Sequence, residues 1–224
     1  MENFKDLYTD KIGVLITNLG TPNAPTKKSL KTYLNQFLMD RRVVDINRAL
    51  WVPLLKLIIL NIRPKKSAKL YKKIWTNNGS PLMVYMKKIK TKIEKRFSHS
   101  DVDFHFNIAM RYGDPSFKKA LNDFKNKYIT KILILPLYPQ AGSPTTSSSL
   151  DEVFKELEVW PWVPHLRFTS GYHDNDKYIF SLSESIKKHF NENGIPEKLL
   201  FSFHGMPQDR KSTRLNSSHL VISY

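Results

Sequence analysis

A histidine closes an apolar run at 199–207, LLFSFHGMP. Leu199, Leu200, Phe201 and Phe203, with only Ser202 between them, read as a short strand covered on both faces. His204 falls where that strand stops, and Gly205 permits a sharp turn beside it. An imidazole there suits proton transfer or metal contact near neutral pH, and equally suits a structural bond to the next loop. Three more strand ends carry polar residues: Thr17-Asn18, Arg111-Tyr112, and Tyr138 with Gln140. In a parallel sheet all lie on the carboxyl edge, where α/β folds bind ligands, so they could converge on one cleft. Aromatic and aliphatic neighbours suit that cleft to a large flat ligand. Residues 143–148, SPTTSS, stand before a helix and offer hydroxyls and amides to an anion, or form a mobile loop with an ordinary cap. Asn18-Leu19-Gly20-Thr21-Pro22 lacks the spacing of a dinucleotide loop, and no phosphate-loop pattern occurs. The seven histidines show no metal-ligand spacing. His105, His165 and His219 carry no signal, and His173 in GYHD is the weaker candidate.

Alternating strands and helices must position these residues. Apolar runs predict strands at 12–19, 102–110, 129–137, 165–169 and 199–203. Between them, helical patterns cover 28–39, 46–62 broken at Pro53, 67–75, 82–97, 115–127, 150–157 and 176–193. The helix at 28–39 has Leu30, Tyr33, Leu34, Phe37 and Leu38 on one stripe, and Asp40-Arg41-Arg42 ends it with charge. Asp114 is placed to cap the helix at 115–127, with Pro115 in its first turn. Gly20-Thr21-Pro22 is expected to break the first strand. This alternation predicts an α/β fold with a parallel sheet and helices on both faces. A first domain over 1–170 would give way at Gly171-Tyr172-His173-Asp174 to the start of a second at 171–208.

Composition narrows the function classes. The 224 residues contain no cysteine, which removes disulfides, thiolate metal sites and any support for an iron–sulfur cluster. The N-terminus has no apolar core of a secretory signal, and the longest apolar run, 49–62, contains Pro53 and Lys56 and is too short to span a bilayer. A net charge of +16 would attract acidic lipid or nucleic acid. The lysines are scattered through helical patterns with no basic stripe of interleaved aromatics, so nucleic acid is not an expected partner.

Seven segments, taken together, resemble the ferrochelatase family: GVLITNLGTP (13–22), FLMDRRVV (37–44), RPKKSAKLYKKIWTNNGSPL (63–82), AMRYGDPS (109–116), ILPLYPQ (134–140), WVPHLRF (162–168) and FSFHGMP (201–207). Their forms are similar to those of bacterial, protoporphyrin-using members. The resemblance implies two Rossmann-like, chelatase-type domains with the porphyrin between them, the second domain incomplete here. It implies insertion of ferrous iron, as substrate, into protoporphyrin IX to make protohaem. By that resemblance His204 matches the catalytic histidine, as proton acceptor or metal-handling residue, while Arg111, Tyr112 and Tyr138 line the cleft. Leu30, Leu34, Phe37, Leu38 and the run at 49–62 would form a lip holding the macrocycle and touching a membrane surface. The implied location is cytoplasmic, with peripheral contact at the inner membrane face. Alternatives are a chelatase acting on coproporphyrin or with another metal, and a non-catalytic tetrapyrrole carrier.

Two departures stand out. Ala141 and Pro144 replace an aromatic and a hydroxyl that the family places after its YPQ motif. At 209–219, DRKSTRLNSSH is similar to the translation of a common sequencing adapter, so 209–224 is set aside from fold reasoning as an artefactual tail. The family continues beyond the histidine motif and carries an acidic partner opposite it. The literal 224-residue chain is therefore expected to be inactive, with its last strand an exposed apolar edge.

Overall fold

The sheet is organised around β1 (Ile12–Thr21), an almost wholly apolar strand with a neighbour on each side. The computed structural model describes residues 11–202 and Gly205. Along the chain follow α1 (Lys27–Met39), α2 (Arg48–Leu54), α3 (Leu60–Ile74), α4 (Pro81–Phe97), β2 (Phe104–Gly113) and α5 (Phe117–Asn126). Then come β3 (Lys131–Pro136), α6 (Ser148–Leu157), β4 (His165–Phe168) and α7 (Asp176–Asn193). The strands run in the order β2-β1-β3-β4, and every pairing is parallel. The predicted parallel α/β architecture is what forms.

Strand alternation sends successive side chains to opposite faces, so each face needs its own cover. Leu15, Ala109, Ile132 and Ile134 meet Leu121 and Phe124 of α5 and Val153 and Leu157 of α6. Val14, Ile16, Phe106 and Met110 meet Met86 of α4. A third cluster packs α1 on α2 and α3 through Leu30, Tyr33, Leu34, Trp51 and Leu55 and ends on Tyr112 of β2. Each fully buried large apolar side chain contributes roughly 1.5–3 kcal/mol.

Several expectations are corrected by the structure. Gly20 does not break β1: at φ +109° it continues the strand, and a Cβ there would lie 1.8 Å from the Tyr112 carbonyl oxygen. Neither Pro53 nor Pro64 ends a helix, and 48–74 is continuous. A π-helical turn at Leu55–Ile59 separates α2 from α3 and ends on Leu60, the residue whose carbonyl Pro64 cannot bond. A widened turn immediately upstream is a physical means of relieving the ring clash a helix-interior proline makes. Ser116, not Asp114, caps α5 by accepting from the Lys119 amide at 3.2 Å, and Pro115 lies outside the helix. Asp114 accepts from Asn23 instead. β2 runs on to Gly113, so Arg111 and Tyr112 lie within the strand and not beyond it. Residues 199–202 form no strand and are exposed. No other described strand pairs with them, and an unpaired segment has no ladder to join. Phe203 and His204 lie outside the described residues.

Candidate active site

The last residues of β2 do the most to build the site. Odd positions Asn107 and Ala109 face α5 and α6, and Arg111 continues that face, whereas Tyr112 turns to α1. The two adjacent side chains nonetheless meet at one carboxylate. Asp40, the C-cap of α1, accepts through Oδ2 from Arg111 Nη2 at 2.7 Å, the Tyr112 hydroxyl at 2.7 Å and the Ser148 hydroxyl at 2.5 Å. Its Oδ1 accepts from the Arg42 amide at 2.7 Å. Arg111 also gives Nε to the Ser148 carbonyl and hydroxyl, at 2.9 and 2.7 Å, and Nη1 to Glu152 at 3.1 Å. The side chains of Asp40 and Arg111 are 6% and 16% exposed.

Burial pushes the Asp40 carboxyl up, but the Ser148 and Tyr112 hydroxyls, the Arg42 amide and the Arg111 guanidinium together hold it below its ordinary value. Burial also pushes the Tyr112 phenol well above the usual tyrosine range. Both groups keep one charge state across neutral pH: Asp40 is an acceptor and Tyr112 a donor.

Aromatic rings fix the α1 side. Phe37 and Tyr33 both meet Tyr112 edge-on, with centroids 5.2 and 6.4 Å away, and the Arg111 guanidinium lies 4.9 Å from the Tyr112 centroid. Tyr33 donates to the Gly20 carbonyl at 3.4 Å, and the Gly113 amide donates to Gln36 at 2.8 Å. A pocket of about 330 Å³ opens beside Arg111, lined also by Gln36, Asp40, Ser116, Glu152 and Lys155. That is at the small end of ligand pockets, which run roughly 300–1,000 Å³.

Other predicted residues are distributed as follows. Tyr138 follows β3, its hydroxyl buried without a hydrogen-bond partner and its phenol pushed up by burial. It follows the end of β3 at Pro136, at the carboxyl edge of the sheet. Leu30 and Leu34 are buried against α2 and α3 and reach no open surface. The exposed apolar surface lies farther along, at Leu50, Leu54, Leu57, Ile58 and Ile62. Thr17 is buried, with its hydroxyl also unpartnered, and Gln140 is exposed. The stretch expected as an anion loop is a π-helical turn, Ser143–Ser147, running directly into α6. Its Thr145 hydroxyl bonds the Gly142 carbonyl, and Ser149 and Ser148 bond Thr145 and Asp40, so these hydroxyls serve the fold. Among the described residues no group of three or more His, Asp or Glu gathers as a metal site.

The sequence reading missed the part played by Asp40 and Glu152, whereas Ser148 lay in the 143–148 stretch read as offering hydroxyls to an anion, and it gives its hydroxyl to the Asp40 carboxylate. One signal was available: an acid at a helix C-terminus opposes the helix dipole and calls for a cation from elsewhere.

A parallel sheet with helices on both faces and a polar, aromatic-flanked carboxyl edge defines an α/β protein of the class whose ligand sites lie at the strand ends. The ferrochelatase family model matches residues 11–214. Ferrochelatase 2 of Shewanella oneidensis is 44% identical over 225 residues, covering 95% of this chain and 69% of that protein. The ferrochelatases of Idiomarina loihiensis and an Azoarcus species are 45% and 46% identical, over 91% and 89% of this chain and 56% and 55% of their own lengths. The chain belongs to the ferrochelatase family. It spans little more than half the length of most of these relatives.

Proposed function

We propose that the protein inserts ferrous iron into protoporphyrin IX to make protohaem. The observation carrying this is the family match across residues 11–214, and the lie of Arg111 and Tyr112 near the end of β2 supports it. Iron enters the ring as Fe²⁺ and two pyrrole N–H protons leave, so the reaction needs a base beside the ring and no redox step. His204 is assigned as that proton acceptor, or as the residue handling the metal, because a near-neutral imidazole accepts and releases protons at physiological pH. Arg111 and Tyr138 are assigned to the cleft wall, with Tyr112, 1% exposed, packed behind Arg111.

Substrate delivery fits the outer face of the 48–74 helical run. Leu50 and Leu57 are 72% and 71% exposed, with Leu54, Ile58 and Ile62 on the same run. Lys56, Arg63, Lys65 and Lys66 are exposed among and beyond them. Apolar side chains mixed with cations suit shallow contact with an anionic membrane surface, from which an apolar porphyrin could be taken. Among the described residues no helix is long and apolar enough to cross a membrane.

The test is anaerobic incubation of the source-gene product with protoporphyrin IX and ferrous iron, followed by absorbance. The metallated spectrum is expected from the protein and expected to fall at least about 100-fold in rate in His204→Ala, the usual scale for losing a general base. Equal rates in the two would remove His204 from the chemistry. Porphyrin binding with no metallation would favour the carrier reading.

A further inference from the structure

Asp40 occupies an electrostatically poor position, the C-terminus of α1, where the helix dipole disfavours an anion. It is also almost wholly withdrawn from water. What compensates is a set of four donors drawn from the Arg42 amide, Arg111 and Tyr112 of β2, and Ser148 at the first turn of α6. A tether between the α1 end and α6 does not require any of this. Arg42 and Asp151 already join the same two regions in an exposed bidentate pair, at 2.7 and 2.9 Å. What the buried carboxylate adds is contact with Arg111 and Tyr112. Three nitrogens of Arg111 are then held by Asp40, Ser148 and Glu152, so the guanidinium plane is fixed, and the phenol is aimed by its bond to the same oxygen.

We propose that Asp40, with Ser148, is the positioning residue of the cleft: at the edge of the pocket, it acts through Arg111 and Tyr112, which it fixes in place. The proposal rests on the chelatase reading above. Three properties of the site support it. The donors come from segments far apart in sequence, so the arrangement exists only in the folded molecule. The carboxylate holds the Tyr112 hydroxyl while Phe37 packs edge-on against its ring, so phenol and ring are each held by a contact of their own. Finally, a charged acceptor holding several donors is roughly twice as strong per bond as a neutral one, which suits holding a geometry more than relaying protons.

The experiment compares Asp40→Asn, Ser148→Ala and Asp151→Asn in the source-gene product. Asp151→Asn breaks the exposed tether without touching Arg111, and so reports what loss of a purely structural link does. Two readouts are taken: solvent exchange of the arginine Nε–H resonances by NMR, and steady-state KM and kcat for protoporphyrin. Asp40→Asn is expected to speed exchange at the Arg111 Nε–H and raise KM about tenfold or more, the scale of one charge-assisted hydrogen bond. Asp151→Asn is expected to speed exchange only at Arg42 and leave KM within about twofold, as for an exposed pair. Should Asp40→Asn fail to fold, Ser148→Ala keeps the ion pair and is expected to raise KM by about threefold. Identical behaviour of the Asp40 and Asp151 variants, or wild-type KM in Asp40→Asn or Ser148→Ala, overturns the positioning role. Absence of turnover in the wild-type protein overturns the chelatase reading instead, and takes with it the cleft role of Asp40.

Discussion

Asp40 shows how a single carboxylate makes folding stability depend on pH. Its folded-state value is depressed below the ordinary 3.8, so its contribution is fully present above that value and is lost as pH falls through the folded one. Asp40→Asn is therefore expected to lower stability by about 1.5–3 kcal/mol at neutral pH, the range for hydrogen bonds to a charged group. The deficit should close progressively below about pH 4. Urea unfolding of both proteins from pH 7 down to 3 checks this, and a deficit that stays constant through the acid range contradicts it. Gly20 and Gly113 are a second residue-scale case. Both have positive φ, and added Cβ atoms would meet the Tyr112 and Thr21 carbonyl oxygens at 1.8 and 2.5 Å. Gly20→Ala should cost at least about 3 kcal/mol from conformational strain and overlap combined, read as a lower urea midpoint. None of this pairing was legible beforehand. Asp40 reads in sequence as a charge that stops a helix, and its partners stand 71 to 108 residues away.

Elements were more legible than contacts, because periodicity is local. Residues 12–19 and 131–136 announce themselves as strands through continuous β-branched and leucine content, and the leucine stripe of α1 is visible by inspection. Proline misled the reading at 46–62, since Pro53 was read as a break, whereas the helical run 48–74 continues through Pro53 and Pro64, with a wide turn ahead of the second. The 115–127 region misled it too, because Asp and Ser both cap helices and only the fold selects Ser116. The 48–74 run yields a prediction of its own. Replacing Leu50 and Leu57 together by serine removes apolar surface that already faces water, so thermal stability should stay unchanged within about 0.5 kcal/mol. Sedimentation with phosphatidylglycerol-containing vesicles should drop about tenfold or more, given roughly 1–3 kcal/mol per side chain placed in the interface. Unchanged vesicle binding would direct attention to another face.

At the scale of the molecule, charge and apolar surface are unevenly supported. The net charge of +16 adds a long-range attraction to anionic surfaces that should fade above about 0.15 M salt, where screening acts within about 8 Å. The C-terminal segments offer a different surface. The 18 residues of α7 bury none of their side chains, and Ile179, Phe180, Leu182, Leu199, Leu200 and Phe201 are exposed. Exposed apolar side chains in this number favour self-association. The 224-residue chain is expected to scatter light in a concentration-dependent way, and Phe180→Ser with Leu200→Ser to reduce that without altering the sheet's circular dichroism. The exposed apolar segment at 199–202 was foreseen in the sequence; that it would form no strand was not, because pairing depends on a neighbour the run itself does not encode.

The central place of β1 in the order β2-β1-β3-β4 bears on how the chain is made. Its partners are β2, which ends at Gly113, and β3, which ends at Pro136. During synthesis β1 leaves the ribosome ahead of both its partners and stays unpaired while the next hundred or so residues are translated. At about 5–20 residues per second that interval lasts roughly 5–20 s. Through that time α1 to α3 can pack on one another, while the sheet cannot begin and α4, which lies on β1 and β2, waits for it. The nascent chain therefore carries β1 unpaired until its neighbours have emerged. Slower elongation before residue 136 would prolong that exposure and lower the soluble yield.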